Sequence, residues 1–278
     1  MTNYSRKILI TGSDGQIGNA LRAHADAKKF QVIACNRNQM DITEMSAIEK
    51  AIAAFSPDMI INTAAYTAVD KAESESELAH LINHQGAKNL AIACNKNKIP
   101  LIHLSTDYIF DGEKSSPYLE SDNANPINVY GESKWLGEEA IREYCDQHII
   151  LRVSGVFSEY GNNFYKTMLR LVNEKKELKI VSDQITCPTY AGNIAGVIYS
   201  MIADLKKYGT WHYCDFPAVS WHQFATEITS DEKIKKISTE EYKSAAKRPA
   251  YSVLDCNKLK NDFGIIQNEW REALGKLS

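Results

Sequence analysis

The chain opens with a short apolar strand that runs directly into a glycine-rich turn and then a helix. Residues 6–11 (RKILIT) form the strand, and Gly12, Gly15 and Gly18 follow it at three-residue spacing. In this context Gly12 permits a tight turn, Gly15 lets the backbone approach a pyrophosphate, and Gly18 lets the helix pack on the strand. The alternative is a purely structural turn, because the commoner phosphate-binding spacing is G-x-G-x-x-G. The feature predicts a dinucleotide site at the start of an α/β sheet.

Apolar strands alternate with helical segments at least five times before about residue 155. Such alternation predicts an α/β protein with a doubly wound parallel sheet of the Rossmann type. Beyond that point the alternation loosens. The sequence therefore predicts an NAD(P)-binding domain at 1–155 and a smaller C-terminal α/β substrate domain at 156–278, and the chain may cross back between them. The predicted strands of the sheet lie at residues 6–11, 30–35, 58–63, 99–104 and 148–152.

The end of the second strand bears on the choice of cofactor. NAD sites usually place a carboxylate there for the ribose diol, whereas a nearby arginine suits a 2′-phosphate. This chain has Asn36 and Arg37 and no acid. The prediction is NADPH, with NADH as the alternative. Asp41 and Ile42 are expected beside the adenine, although Asp41 could instead be a helix N-cap.

Backbone near the predicted pyrophosphate comes from two further places. The first helical turn offers main-chain amides at Gln16 and Ile17, where the helix dipole favours an anion. After the third strand, the run Ala64, Ala65, Tyr66 contains small residues past which a dinucleotide could lie closely. These five residues complete the predicted cofactor site.

A tyrosine and a lysine four residues apart are the predicted acid–base pair. Tyr130 and Lys134 would share one face of a helix that begins near Val129. A cation within about 4–6 Å favours a phenolate and so would lower the tyrosine pKa. Thr106 follows the fourth strand, at the edge where parallel sheets bind ligands. A Y-x-x-x-K spacing alone also arises by chance, with the tyrosine merely packed.

Several motifs occur together and in order along the chain. They are GxxGxxG at 12–18, AAYTAVDKAE at 64–73, LSTDYIFDG at 104–112, NVYGESKWLGE at 128–138 and YGNNF at 160–164. With them the chain resembles the extended short-chain dehydrogenase/reductases, and within these the dTDP-4-dehydrorhamnose reductase family. The resemblance covers nearly the whole sequence.

The resemblance implies a reductase of the C4 ketone of dTDP-4-dehydro-L-rhamnose in surface polysaccharide biosynthesis. It implies that Tyr130 protonates the C4 oxygen and that Lys134 lowers the tyrosine pKa and binds the nicotinamide ribose. Thr106 would hydrogen-bond the ketone oxygen, Asp107 would touch the sugar and Val69 would line the pocket. Two further residues are candidates for the sugar nucleotide, Asn163 and Arg248. Helix capping and a solvated loop are their respective alternatives.

One position departs from the family pattern. Family members commonly carry R-T-S-W after the fifth strand, with the Trp on the sugar nucleotide, whereas this chain has Gly155 there. Phe157 or Tyr160 could compensate. The open alternatives are a reductase of another nucleotide-linked 4-keto-6-deoxyhexose, such as a 6-deoxytalose or an N-acetylated UDP sugar, or a non-catalytic regulatory subunit of the same fold.

Charge and cysteine content bound the partners. A net charge of −3 and a pI near 6.2 give no sign of a nucleic-acid or membrane partner. Six dispersed cysteines favour reduced thiols and a cytoplasmic location. The expected partner is a small nucleotide sugar. Some relatives dimerise around a metal held by a first-helix glutamate, but this chain has Asn19 and Ala20 there. No metal and a monomer are therefore expected, with a weak dimer left open.

Overall fold

The computed structural model describes residues 6–26, 29–174, 177–205, 207–230 and 234–277. The strands, in chain order, are β1 Arg6–Thr11, β2 Phe30–Cys35, β3 Met59–Asn62, β4 Leu101–Thr106, β5 His148–Val153, β6 Val156–Phe157, β7 Lys179–Val181, β8 Ile185–Thr186, β9 Thr189–Tyr190, β10 Gly209–Tyr213, β11 Val219–Ser220 and β12 Lys235–Ile237. The helices are α1 Gln16–His24, α2 Met45–Phe55, α3 Val69–Ala72, α4 Ser76–His80, α5 Gly86–Asn97, α6 Val129–Tyr144, α7 Phe164–Asn173, α8 Ala191–Ala203, α9 Trp221–Thr229, α10 Thr239–Tyr242, α11 Asn257–Phe263 and α12 Trp270–Leu277. A π-helical turn, Leu81–Gln85, joins α4 to α5, and a 3₁₀ turn, Asp107–Ile109, follows β4.

Six parallel strands form the central sheet in the order β2, β1, β3, β4, β5, β10. The chain runs outward from β1 to β2 and then returns past β1 to β3, so the strand order reverses between β1 and β3. In open α/β sheets, ligands bind at the carboxyl ends of the strands beside such a reversal. The predicted doubly wound parallel sheet is confirmed.

Helices cover both faces of this sheet because successive strand side chains point to opposite sides. Ile8 and Ile10 of β1 pack with α1 and α8, whereas Leu9 packs with α2 and α5 on the other face. The strands are buried on both faces, which explains their continuous apolar runs. Among the described helices, none is long and apolar enough to cross a membrane.

Two segments from beyond residue 155 belong to this sheet layer. The strand β10 pairs in parallel with β5, and the helix α8 contributes much of the core against α1. The chain therefore crosses back as the sequence allowed, and the division at residue 155 stays a prediction. The remaining C-terminal elements include three two-stranded sheets, which pair β11 with β8, β12 with β7 and β6 with β9.

The fourth strand is longer than predicted at its carboxyl end. The sequence predicted it to stop at Leu104, but β4 continues to Thr106, which pairs with Val153 of β5. This pairing fixes the backbone of Ser105 and Thr106 within the sheet. The hydroxyl of Thr106 then accepts a hydrogen bond from the amide of Tyr108 at 3.1 Å, which turns the chain out of the strand.

Candidate active site

A cavity of about 860 Å³ lies at the carboxyl ends of the central strands. It reaches from the turn after β1 to the loop that carries Arg248 in the C-terminal region. All but three of the predicted site residues line it. Those that do are Gly12, Gly15, Gln16, Ile17, Asn36, Arg37, Asp41, Ile42, Ala64, Ala65, Val69, Thr106, Asp107, Tyr130, Lys134, Gly155 and Arg248.

The glycine turn is shaped by close contact with the neighbouring strand. Gly12 has φ +64°, and a Cβ atom there would lie 2.6 Å from the Cα of Ala64. A Cβ on Gly18 would lie 2.6 Å from the carbonyl oxygen of Gly12, so α1 packs directly on the turn. Gly15 is the N-cap of α1 and has no side chain to cap the first amides of that helix. Those amides face the cavity and suit a pyrophosphate.

The end of β2 presents an arginine at the rim of the same cavity. The Nε atom of Arg37 donates to Asp41 Oδ2 at 3.1 Å, and two-thirds of the Arg37 side chain is exposed. The other Asp41 oxygen accepts hydrogen bonds from the amide and hydroxyl of Thr43. Partial burial opposes ionisation of Asp41, but the bonds from Thr43 and Arg37 prevail and lower its pKa. Glu44, not Asp41, is the N-cap of α2, so the capping alternative is wrong.

The helix that carries the acid–base pair begins where Asn128 caps it. The Asn128 side chain accepts a hydrogen bond from the amide of Gly131 at 2.7 Å, a regular N-cap arrangement. Tyr130 and Lys134 therefore lie on one face of α6, as the spacing predicted, and both line the cavity. The hydroxyl of Thr106 lies near that of Tyr130 and acts on its pKa. Three groups from β4 and α6 thus converge at one place.

The electrostatics around Tyr130 differ from the sequence prediction. Loss of water contact raises the pKa of Tyr130 to about 12; the nearby hydroxyl of Thr106 opposes this rise and the charge of Asp107 adds to it. Lys134 was expected to lower this pKa, but its amino group is bonded to β4 and does not act on it. Nζ lies 2.6 Å from the carbonyl oxygen of Leu104 and 3.1 Å from Nε2 of His103. The expectation of a depressed tyrosine pKa is wrong for this arrangement.

Burial also shifts the two charged neighbours. It lowers the pKa of Lys134 to about 8, against the opposing charge of Glu138. It raises the pKa of Asp107 to about 6, although hydroxyl groups, those of Ser252, Thr106 and Ser154, act in the opposite direction. Asp107 Oδ2 has no well-aligned hydrogen bond within the described residues and lies in the cavity wall. That oxygen is itself buried from solvent.

Gly155 occupies a position where no other side chain fits. Its φ is +52°, and a Cβ atom would lie 2.7 Å from the carbonyl oxygen of Cys187. The suggested compensation by Phe157 is wrong, because that ring is fully buried in the C-terminal core. Tyr160 is not among the described residues that line the cavity. The aromatic rings that do line this end are Phe164 and Trp221, whose centroids are 4.7 Å apart.

Arg248 reaches the cavity and is held there by a carboxylate of α3. Its two terminal nitrogens donate to Asp70 Oδ1 and Oδ2 at 3.1 and 2.6 Å. The bidentate pair lowers the pKa of Asp70, chiefly through the hydrogen bond from Arg248. The arginine is therefore a fixed cation at the cavity, not part of a freely solvated loop.

Three predicted site residues do not border the cavity. Gly18 supports the turn from behind. The amide of Tyr66 donates to Asn83, and its hydroxyl donates to Glu75 at 2.6 Å. Asn163 is the N-cap of α7, which was its alternative role. It also donates a hydrogen bond to the side chain of Gln16 at 2.9 Å, and Gln16 lines the cavity.

Metal ligation has no candidate in the described ranges. No group of three or more His, Cys, Asp or Glu side chains there is arranged to hold a metal ion. The side chain of Asn19 donates instead to the carbonyl oxygens of Asp14 and Gly15. The absence of a structural metal stays a prediction.

Sequence reasoning missed the residues that reach the site through the fold. The sequence alone favours an ordinary core histidine at His103; the residue is buried, but it contacts Lys134 thirty-one positions away. Phe164, Trp221 and Asp70 also received no role. The only available signal for Asp70 was its place in the AVDKAE run.

Comparison with known proteins agrees with this geometry. The family model described as RmlD substrate binding domain matches residues 6–278. A dTDP-4-dehydrorhamnose reductase of Aggregatibacter actinomycetemcomitans is 41% identical, over 96% of this chain and 97% of the relative. The crystal structure of a dTDP-4-dehydrorhamnose reductase from Bacillus anthracis in complex with NADP superimposes with a TM-score of 0.93 at 37% identity, covering 98% of both chains. A reductase ortholog from Clostridium acetobutylicum gives a TM-score of 0.93 at 40% identity, covering 97% of both chains. The chain therefore belongs to the dTDP-4-dehydrorhamnose reductase family.

Proposed function

We propose that this chain is an NADPH-dependent reductase that converts the C4 ketone of dTDP-4-dehydro-L-rhamnose into the hydroxyl of dTDP-L-rhamnose. The observation that carries the proposal is the convergence of the Tyr130 and Thr106 hydroxyls with Lys134 in one cavity that begins at a glycine turn. The family relationship supports the substrate.

The chain's own residues fit a phosphorylated dinucleotide. The open amides at the start of α1 and the tight approach of Gly12 to Ala64 would hold a pyrophosphate. Arg37, exposed at the end of β2, would bind the 2′-phosphate. When bound, the reduced dinucleotide supplies hydride to the ketone carbon. Lys134, which lines the same cavity, would bind the nicotinamide ribose.

Tyr130 would act as the general acid. At neutral pH a phenol with a pKa near 12 is fully protonated, so the proton is available when negative charge develops on the C4 oxygen. Thr106 would donate a hydrogen bond to the same oxygen, in place of the one that its hydroxyl donates to Asp107 Oδ1 in the free protein. Asp107 lines the cavity beside Thr106 and would touch the sugar there.

The sugar nucleotide would lie between the two regions of the chain. Val69 and Arg248 both line the cavity although they are far apart in the sequence. The ion pair with Asp70 fixes the position of the arginine. A guanidinium group binds diphosphate oxygens through paired hydrogen bonds. Phe164 and Trp221 would supply the flat apolar surface that Gly155 lacks.

Oxidation of NADPH, followed by its absorbance after addition of dTDP-4-dehydrorhamnose, tests the proposal. Turnover of the dTDP-linked ketone with a preference for NADPH over NADH is expected. Equal or faster turnover of a UDP-linked 4-keto sugar would support the alternative substrate class instead. The absence of turnover with either, despite NADPH binding, would favour a non-catalytic subunit. A nucleotide sugar without the ketone serves as the control.

The proposal also covers the cellular setting. A reductase of soluble nucleotide sugars would work in the cytoplasm as a monomer. A mass of twice 31.2 kDa by light scattering would contradict the monomer.

A further inference from the structure

A chain of buried hydrogen bonds crosses three neighbouring strands and ends on Lys134. The hydroxyl of Thr11 donates to Asn62 Oδ1 at 2.6 Å, and Asn62 Nδ2 lies 2.9 Å from His103 Nδ1. His103 Nε2 lies 3.1 Å from Lys134 Nζ. All four side chains are at most 2% exposed. In such surroundings each polar atom needs a partner of the right kind, donor for acceptor.

The orientation of the Asn62 amide is fixed by the backbone. The amide of Ala64 can only donate, and it lies 3.1 Å from Asn62 Oδ1. Asn62 must therefore turn its NH₂ group toward His103. It follows that His103 Nδ1 accepts a hydrogen bond and carries no proton.

The imidazole of His103 is neutral. Burial alone lowers the pKa of His103 well below its ordinary value. A neutral ring with a bare Nδ1 has its single proton on Nε2. That N–H group points at Lys134 Nζ.

An ammonium group has three donors and no acceptor, so it cannot receive this hydrogen bond. A neutral amine can: its lone pair accepts from Nε2–H while one of its own hydrogens is donated to the carbonyl oxygen of Leu104. We propose that His103 is a positioning residue that holds Lys134 as a neutral amine against β4, and that protonation of Lys134 breaks this contact and frees the ammonium group for Tyr130 and the ligand.

The other charges near Lys134 do not replace this contact. On α6, Glu138 lies one turn further on, but it is paired with Arg152 of β5 at 2.8 Å and with Arg142 at 2.6 Å. From the π-helical turn, Asn83 donates to Ser133 and not to Lys134. Asp107, beyond β4, acts on Tyr130. The pKa of Lys134, lowered to about 8 by burial, keeps both forms accessible near neutral pH.

The tautomer of His103 can be observed directly. In the full-length protein with ¹⁵N-labelled histidine, two-dimensional NMR distinguishes a protonated ring nitrogen from a bare one, and a His103→Gln variant assigns the signals by their loss. The expected result is a bare Nδ1 and a protonated Nε2 between about pH 6 and 9. A protonated Nδ1, or an imidazolium ring in that range, would overturn the proposal without any reference to catalysis.

An isosteric variant should reverse the tautomer. In Asn62→Asp, the carboxylate can still accept hydrogen bonds from Ala64 and Thr11, and it can also accept one from a protonated Nδ1 of His103. The bare Nε2 would then accept a hydrogen bond from an ammonium at Lys134. The alkaline limb of the kcat/KM profile, where Lys134 loses its proton, should move up by about one pH unit or more, a tenfold change in proton concentration. An unchanged tautomer and limb would refute the proposal.

Two companion variants separate this effect from added charge and from general loosening. Asn62→Ala removes the constraint without introducing a charge, so the alkaline limb should again move up. Thr11→Val removes the far end of the hydrogen-bond chain but leaves Ala64 to orient Asn62, so neither the tautomer nor the limb should change. The kinetic measurements rest on the proposed reductase activity, whereas the NMR measurement does not. Failure of the activity and failure of this inference are therefore distinguishable.

Discussion

Replacing Tyr130 by Phe removes a single oxygen from the proposed proton donor. The ring keeps its place on α6 and its edge contact with Tyr108, whose centroid is 5.9 Å away. Thr106 keeps its bonds to Asp107 and the Tyr108 amide. The packing cost is therefore small, and the loss falls on proton transfer.

The expected magnitude follows from the role of a general acid. A positioned acid contributes about 10²- to 10⁴-fold to the rate, which corresponds to about 3 to 5 kcal/mol of transition-state stabilisation. Tyr130→Phe should lower kcat by this factor and leave the dissociation constant of NADPH nearly unchanged. The reason is that the dinucleotide contacts proposed for the glycine turn and Arg37 lie at the other end of the cavity.

Steady-state NADPH oxidation gives kcat, and quenching of protein fluorescence by NADPH gives the dissociation constant. Tyr199→Phe is a matched control, because its hydroxyl is buried and donates to the carbonyl oxygen of Leu21 at 2.6 Å, away from the cavity. That variant should lose some stability and keep its turnover. Near-normal turnover of Tyr130→Phe would refute the assignment of the acid.

Three further outcomes are expected. The pKa of Asp107 is raised to about 6, so the folded state binds its proton more tightly than the unfolded state does. The stability that this proton contributes is fully present below about pH 4 and is lost as the pH rises through 6. Asp107→Asn should therefore raise the free energy of unfolding by about 3 kcal/mol in urea at pH 8 and change it little at pH 4, and an equal change at both would contradict this account. Arg248→Lys should raise KM for the sugar nucleotide about 10-fold or more with kcat little changed, since a point charge replaces a bidentate group; an unchanged KM would count against diphosphate binding. Gly155→Ala should lower the free energy of unfolding by more than about 1 kcal/mol, because φ is +52° and the carbonyl oxygen of Cys187 is too close for a Cβ atom. The control Gly196→Ala, in open space within α8, should be neutral or stabilising. The reverse order of the two effects would contradict the backbone argument.

The fold could be predicted because its signals are local. The strands at 6–11 and 30–35 and the helix start at Val129 depend on apolar periodicity and on the cap supplied by Asn128. The glycine turn works because its three glycines act within seven residues. The i, i+4 relation of Tyr130 and Lys134 is likewise a property of one helix.

What could not be predicted depends on contacts between distant parts of the sequence. Asp70 meets Arg248 across 178 positions, and His103 meets Lys134 across 31. The direction of the tyrosine shift required knowing that Lys134 turns toward β4. To predict that Phe164 and Trp221 pair at the cavity, one would need to know that α7 and α9 begin there. Neither periodicity nor spacing carries that information.

The raised pKa of Tyr130 is consistent with catalysis in the direction of reduction. A ketone that receives hydride develops an alkoxide, which is more basic than a phenolate, so a tyrosine with a pKa near 12 can still transfer its proton downhill. What reduction requires at neutral pH is a tyrosine that is already protonated, and burial ensures this. Oxidation of the product would require the phenolate instead. The oxidation rate should therefore keep rising with pH until Lys134 loses its proton, while the reduction rate stays level over the same range. A reduction rate that fell with increasing pH well below the pKa of Lys134, near 8, would show that a group other than these two controls the reaction.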